Sequence, residues 1–334
     1  MRAVVITAHG DPSVLRVLER PAPSCGPGQV RVAVRAAGVN FADVMARQGL
    51  YEDAPPPPSV VGYEVAGEVA EVGADVARWQ VGDRVAAGCR FGGYSEQVVV
   101  DPGDCVALPG GMTFAQGAAI PVNYATAWAG LLGYGSLRAG ERVLVHAAAG
   151  GVGTAAVQIA KAAGAEVWGT ASPAKHAAVR ENGADHVIDY TEDGWERGLG
   201  GFDVIMDALG GASFARSYRL LRAGGRLVAF GASSVIDGER KNLLKAAPKA
   251  LRMIRGFSLL GQMSDSKAVI GLNLLRLWDD RGSLEPWITP LSALLDDGVV
   301  RPVVAAEVPF ERAGDAHRML TERRNVGKVV LIPA

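Results

Sequence analysis

One short turn constrains this chain more than any other feature. Ala147-Ala148-Ala149-Gly150-Gly151-Val152-Gly153 follows an apolar run at 142–146 and opens an Ala-rich stretch at 153–163 that closes at Gly164. A strand, a glycine-rich turn and a helix in that order aim backbone N–H groups outward from the positive end of the helix. Side chains are absent where an anion must come close. The run matches the dinucleotide fingerprint with Ala148 in place of its first glycine. Ala149, Gly150, Gly151, Val152 and Gly153 are therefore the expected cradle for a pyrophosphate.

The flanking sequence supplies the context that such a motif requires. Strand candidates at 166–170, 186–189, 203–207 and 226–230 are separated by helix-length stretches, the clearest being 173–181, ended by Gly183. Residues 268–274 are a candidate sixth strand. This alternation predicts an α/β fold with a doubly wound parallel sheet. The first third differs: short apolar or alternating runs at 3–7, 30–36, 64–72, 83–87 and 95–100 are fenced by Gly and Pro, which predicts a β-rich domain. Residues 113–134 are Ala-rich, with room for one or two helices, and the chain ends in an apolar strand at 328–332.

Composition narrows the class further. With 49% apolar and 21% charged residues the chain reads as globular, and a formal net charge of -1 gives no pull toward nucleic acid. No apolar run approaches the roughly 20 residues that span a bilayer, and no signal-peptide pattern opens the sequence, so a cytoplasmic protein is expected. Cys25, Cys89 and Cys105 are scattered without metal-type spacing, which argues against a four-cysteine zinc site.

The form of the dinucleotide is read from an absence. A site that prefers NAD places Asp or Glu about 20 residues after the turn, on the ribose hydroxyls. Here the strand ends in Gly169-Thr170-Ala171-Ser172, without an acid. Ser172, Lys175 and Tyr190 are candidates to hold a ribose phosphate instead, which favours NADPH. Against this, Ser172-Pro173 is also a good helix start, and Lys175 has the look of an ordinary surface lysine.

These motifs together resemble the zinc-independent quinone oxidoreductases of the medium-chain dehydrogenase/reductase superfamily, along essentially the whole chain. The resemblance rests on His146–Gly153, on Gly38-Val39-Asn40-Phe41-Ala42-Asp43 with Arg47-Gln48-Gly49-Leu50-Tyr51, and on Asn325-Val326-Gly327-Lys328-Val329-Val330. Within that branch, residues 40–51 and Val122-Asn123-Tyr124-Ala125-Thr126 are most similar to the vesicle amine transport protein subgroup. The resemblance implies a GroES-like catalytic domain of residues 1–122 and 275–334 clasping a Rossmann NADPH-binding domain of residues 123–274. It implies a homodimer, for which edge pairing of residues 268–274 is the candidate contact. It places Asn40 and Thr126 near the nicotinamide, with Leu209, Phe230, Gly231, Ala232, Asn325 and Lys328 completing the cofactor contacts. Departures from the zinc-using relatives matter too. Asn40 stands where they carry a cysteine ligand, Gly62-Tyr63-Glu64 stands for their Gly-His-Glu, and no metal is expected.

Without a Lewis acid, hydrogen-bond donors must stabilise the negative charge that hydride transfer builds on an acceptor oxygen. Asn40, Tyr51, Asn123 and Thr126 are the candidates. The expected activity is NADPH-dependent reduction of a quinone or other α,β-unsaturated carbonyl compound. Alternatives are an enoyl-thioester reductase, or a low-turnover NADPH-binding protein acting at a membrane or on protein partners. Plainer roles compete residue by residue: Asn40 as a turn cap, Asp43 as a loop anchor, Tyr51 as packing. His9, His176, His186 and His317 read as surface or strand-end residues, and His146 as a satisfied core histidine. In residues 239–255, Lys241, Lys245, Lys249 and Arg252 oppose Leu243, Ala247, Leu251 and Ile254 at helical spacing. Such a face suits anionic lipid or a phosphate-bearing substrate, but Pro248 interrupts it and a solvated surface is the commoner outcome.

Overall fold

The computed structural model describes residues 1–234 and 257–333, so the basic segment 239–255 lies outside the described residues. They form two units, one of residues 1–125 and 274–333 and one of residues 126–234 and 257–273.

The first unit opens with an antiparallel ribbon of β1 (Arg2–Ile6) and β2 (Leu15–Glu19). Its backbone is β3 (Val30–Val39), in which Val30, Val32 and Val34 are buried while Arg35 is exposed. From Ala36 to Val39 every residue is buried, as in a strand covered on both faces. Helix α1 (Phe41–Gln48) starts directly after it, capped by Asn40 and closed by Gly49 in the left-handed region at φ 69°. Then follow β4 (Glu64–Val72), β5 (Arg84–Gly88), β6 (Gln97–Val100) and β7 (Cys105–Ala107). The Ala-rich stretch supplies α2 (Phe114–Gly117) and α3 (Pro121–Trp128).

The second unit alternates β8 (Arg142–Val145), α4 (Gly151–Ala162), β9 (Glu166–Ala171), α5 (His176–Glu181) and β10 (His186–Asp189). It continues with β11 (Phe202–Asp207), α6 (Ala212–Leu220), β12 (Leu221–Ala229), α7 (Leu259–Asp265) and β13 (Ala268–Gly271). The strand order is β10-β9-β8-β11-β12-β13, every neighbouring pair parallel, and the expected sixth strand is present. All six residues of β11 are buried, because helices cover both faces of a parallel sheet. The order turns back beside β8, which makes the carboxyl ends of β8 and β11 the switch point where such sheets bind ligands.

The chain then returns to the first unit through α8 (Leu274–Arg281), α9 (Glu285–Asp296), β14 (Val304–Pro309), α10 (Ala313–Thr321) and β15 (Lys328–Ile332). β15 pairs antiparallel with β3, Val329 opposite Val39, and gives the order β14-β15-β3-β4-β5-β7, with β6 also on β3. Valines of these strands pack with Ile6, Phe310 and Leu331 in one core. One surface expectation fails here: His317, on α10, is 0% exposed. No helix among the described residues is long and apolar enough to cross a membrane.

Candidate functional site

The turn after β8 is built to leave space. Ala147 adopts φ 52°, and the Gly150 N–H returns to the Ala147 carbonyl at 2.8 Å before α4 begins. A Cβ on Gly153 would lie 2.2 Å from that same carbonyl oxygen, so only glycine lets the helix start against the turn. The first-turn N–H groups of Gly151, Val152 and Gly153 have no acceptor within the helix and point out of its positive end. Ala149 is buried beside them and Gly150, Gly151 and Val152 are half-buried.

Beneath the turn runs a closed chain of buried polar groups. Ser213 and Ser217 each donate to Asp207 Oδ2 at 2.7 Å, and Asp207 Oδ1 accepts the Leu209 N–H at 2.8 Å. Ser217 Oγ, its only proton committed to Asp207, accepts from His146 Nε2 at 3.0 Å. His146 Nδ1 then accepts from Thr170 Oγ1 at 3.2 Å, and Thr170 Oγ1 accepts the Ala147 N–H at 3.3 Å. Burial lowers the basicity of His146, in keeping with this single neutral tautomer. His146 is thus the satisfied core histidine expected of it. The network ties the turn after β8 to the loop after β11. Thr170, Asp207, Ser213 and Ser217 were not singled out from sequence, although an acid ending an apolar strand at the switch point was a usable signal.

The other cofactor candidates of this unit fall at strand ends. Asp189 pairs with Ala171, so Ser172 and Tyr190 follow at adjacent ends of β9 and β10. Ser172 occupies the N-cap of a short turn at Pro173–Lys175, yet its hydroxyl makes no capping bond. Ser172 and Lys175 are half-buried and Tyr190 is exposed. Leu209 follows β11; Phe230, Gly231 and Ala232 follow β12, with the Phe230 N–H on the Asp207 carbonyl at 3.1 Å. Thr126 is buried on α3.

A second polar cluster lies within the first unit, where the register of β15, β3 and β4 brings three strand ends together. Lys328 begins β15, Asn40 follows β3 and Glu64 begins β4. The Lys328 ammonium donates to Glu64 Oε1, to Asn40 Oδ1 at 2.6 Å and to Asn123 Oδ1 at 3.5 Å. Glu64 also accepts from Asn40 Nδ2 at 3.0 Å and from the Val122 N–H at 2.7 Å. Glu64 and Lys328 are 0% and 3% exposed. Gly38 makes room for them: a Cβ there would lie 2.6 Å from Glu64 Cγ. Lys328 therefore spends its three donors inside this unit. Asn40 keeps one Nδ2 hydrogen beyond these contacts. Asn123 is committed at both ends, its Nδ2 donating to the Ala119 carbonyl at 3.1 Å. Asn325 Nδ2 donates to the Gly327 carbonyl at 2.8 Å. Sequence alone placed Glu64 only as the remnant of a ligand motif.

Asp43 anchors the loop around this cluster. Its carboxylate accepts from the N–H groups of Asn40 and Gly62 at 2.7 and 3.0 Å and from the Tyr94 hydroxyl at 3.0 Å. Complete burial outweighs these bonds and raises its pKa to about 7. Tyr51 is half-buried, its pKa pushed up to about 12 mainly by desolvation. Its ring meets that of Tyr63 edge-on, centroids 6.2 Å apart. Among the described residues, no group of three or more His, Cys, Asp or Glu side chains is placed to hold a metal ion.

Two family models match the chain: an alcohol dehydrogenase GroES-like domain over residues 26–110 and a zinc-binding dehydrogenase over residues 182–331. The rat synaptic vesicle membrane protein VAT-1 homolog is 39% identical over 100% of this chain and 84% of its own length. Among solved structures, Escherichia coli quinone oxidoreductase complexed with NADPH superposes at TM-score 0.83, with 29% identity and 100% of both chains covered. The CurK enoyl reductase does so at 0.84, with 26% identity over 100% of this chain and 99% of its own.

Proposed function

This chain belongs to the quinone oxidoreductase-like branch of the medium-chain dehydrogenase/reductase superfamily, in its VAT-1 subgroup, and on that footing we propose that it reduces quinones or other α,β-unsaturated carbonyl compounds with NADPH and without a metal ion. The observation that carries this reading is the Lys328–Glu64–Asn40 cluster. At the positions that the resemblance gives to zinc ligands stand the Asn40 amide and the Tyr63 phenol, and the adjoining Glu64 carboxylate is met by the buried Lys328 ammonium.

The cofactor fits the residues present. The Gly153 cradle is closed to any side chain, no acid ends β9, and the Ser172 hydroxyl makes no capping bond. The first-turn N–H groups of α4 belong to the pyrophosphate side, and Ser172, Lys175 and Tyr190 to a ribose phosphate. When bound, NADPH supplies a hydride, which is two electrons and one hydrogen nucleus.

The remaining Asn40 Nδ2 hydrogen and the Tyr51 hydroxyl donate to the acceptor oxygen as its charge grows. Lys328 is a positioning residue: its charge, 2.6 Å from Asn40 Oδ1, fixes the amide orientation and strengthens the opposite N–H as a donor. Asn123 in turn orients Lys328. Desolvation keeps the Tyr51 phenol protonated and hydrogen-donating at neutral pH, and solvent supplies the proton that completes hydroquinone. A homodimer through β13, the last strand of its sheet, belongs to the same proposal.

A second reading, reduction of an enoyl thioester, is supported by the likeness to the CurK enoyl reductase. NADPH oxidation is measured with quinones, short enones and enoyl thioesters in turn. Turnover of quinones or enones with no stoichiometric zinc is the expected result. Turnover of thioesters alone would favour the second reading, and zinc-dependent activity would overturn the metal-free site.

A further inference from the structure

Tyr63 is 5% exposed, and its hydroxyl, shielded from water, has no hydrogen-bond partner among the described residues. A buried hydroxyl without an acceptor costs about 1–3 kcal/mol, and phenylalanine would fill the same ring volume without that loss. The residue is nevertheless held firmly. Its carbonyl accepts the Cys89 N–H at 2.8 Å, and the next residue, Glu64, begins β4 in the ion pair with Lys328.

The surroundings of the phenol are aromatic. Phe91 lies 5.2 Å away with its ring tilted 54°, and Tyr51 stands at 80° on the other contact. Tyr51 and Phe91 are both half-buried, whereas Tyr63 between them is buried. Apolar ring faces with one uncommitted O–H suit a flat conjugated ring carrying an oxygen acceptor. A straight-chain thioester offers such walls far less.

We propose that Tyr63 is a substrate-binding donor, its hydroxyl donating to a carbonyl oxygen of a quinone whose ring packs against Tyr51 and Phe91. This deepens the quinone reading and rests on it. Burial, the main influence on Tyr63, holds its pKa far above the ordinary tyrosine value, so the phenol donates a hydrogen bond and keeps its proton. The orphan hydroxyl is then a stability loss tolerated for binding, as functional sites commonly show.

The full-length protein and Tyr63→Phe are compared in three measurements. These are kcat/KM for 1,4-naphthoquinone with NADPH, fluorescence titration of 1,4-naphthoquinone onto protein saturated with NADP+ where no hydride can pass, and Tm. The variant is expected to lose about tenfold in both kcat/KM and naphthoquinone affinity, to keep its NADPH affinity, and to melt higher. A purely structural tyrosine would raise Tm alone. Unchanged turnover and affinity in the variant would overturn the proposal while leaving quinone reduction standing. Tyr63-dependent binding without turnover in the parent protein would uphold the proposal and overturn the reductase reading. Absence of naphthoquinone binding in the parent protein would overturn both.

Discussion

Removing the Lys328 ammonium tests the first unit at its most charged point. Lys328→Met keeps most of the side-chain volume but leaves the Glu64 carboxylate, 0% exposed, with only the Asn40 amide at 3.0 Å and the Val122 N–H at 2.7 Å. Breaking a buried pair from one side costs about 3–5 kcal/mol, because the surviving charge stays desolvated. Glu64→Gln strands the ammonium and should cost a similar amount. Lys328→Met combined with Glu64→Gln removes both charges, and its loss should fall about 2–3 kcal/mol short of the sum of the single losses. The measurement is urea unfolding followed by tryptophan fluorescence, with the transition of the β-rich unit compared across all four proteins. A Lys328→Met loss below about 1 kcal/mol, or strict additivity in the cycle, would refute a closed and coupled pair.

Three further outcomes are expected. Lys175→Ala should raise the NADPH dissociation constant by about tenfold and leave NADH nearly unchanged in paired titrations; equal effects would remove Lys175 from a ribose phosphate. Gly153→Ala forces a methyl to 2.2 Å from the Ala147 carbonyl, so dinucleotide affinity should fall by about a hundredfold or more, and near-normal binding would refute the tight cradle. Burial, aided by the Arg47 charge, lowers the His317 pKa to about 3. Between that value and its ordinary pKa of about 6.5 the unfolded chain binds the extra proton, so the stabilisation is present above about pH 6.5 and is lost as pH falls toward 3. His317→Gln should flatten this acid limb by a few kcal/mol in pH-dependent melting, and an unchanged slope would contradict a buried neutral imidazole.

The second unit was legible in outline because its code is local. A strand, a glycine turn and a helix each announce themselves within a dozen or so residues, and the buried strands are continuous apolar runs. Ser172 shows the finer limit: the pattern Ser-Pro predicted a capping serine, and the backbone agrees while the hydroxyl does not. The polar cluster was harder. Nothing near Glu64 in sequence announces a partner 264 residues away, and Lys328 was expected to touch the cofactor rather than an internal carboxylate. His317 sits among Asp315, Arg318 and other polar neighbours on α10, which reads as a surface helix until the sheet covers one side of it. β2, β7 and β14 were not anticipated, since they are short or partly exposed and lack clean alternation.

The distance between Glu64 and Lys328 along the chain also sets a clock. At roughly 5–20 residues per second, a ribosome needs on the order of tens of seconds to deliver Lys328 after Glu64 has emerged. During that interval the stretch of β3 from Ala37 to Val39 has no β15 to pair with, and the carboxylate destined for its buried seat has no counter-charge. The β-rich unit is begun early and can be sealed only once β15 has been made. Nascent chains halted before residue 328 should therefore keep an open strand edge, the state in which a chaperone or a neighbouring chain is most able to intervene.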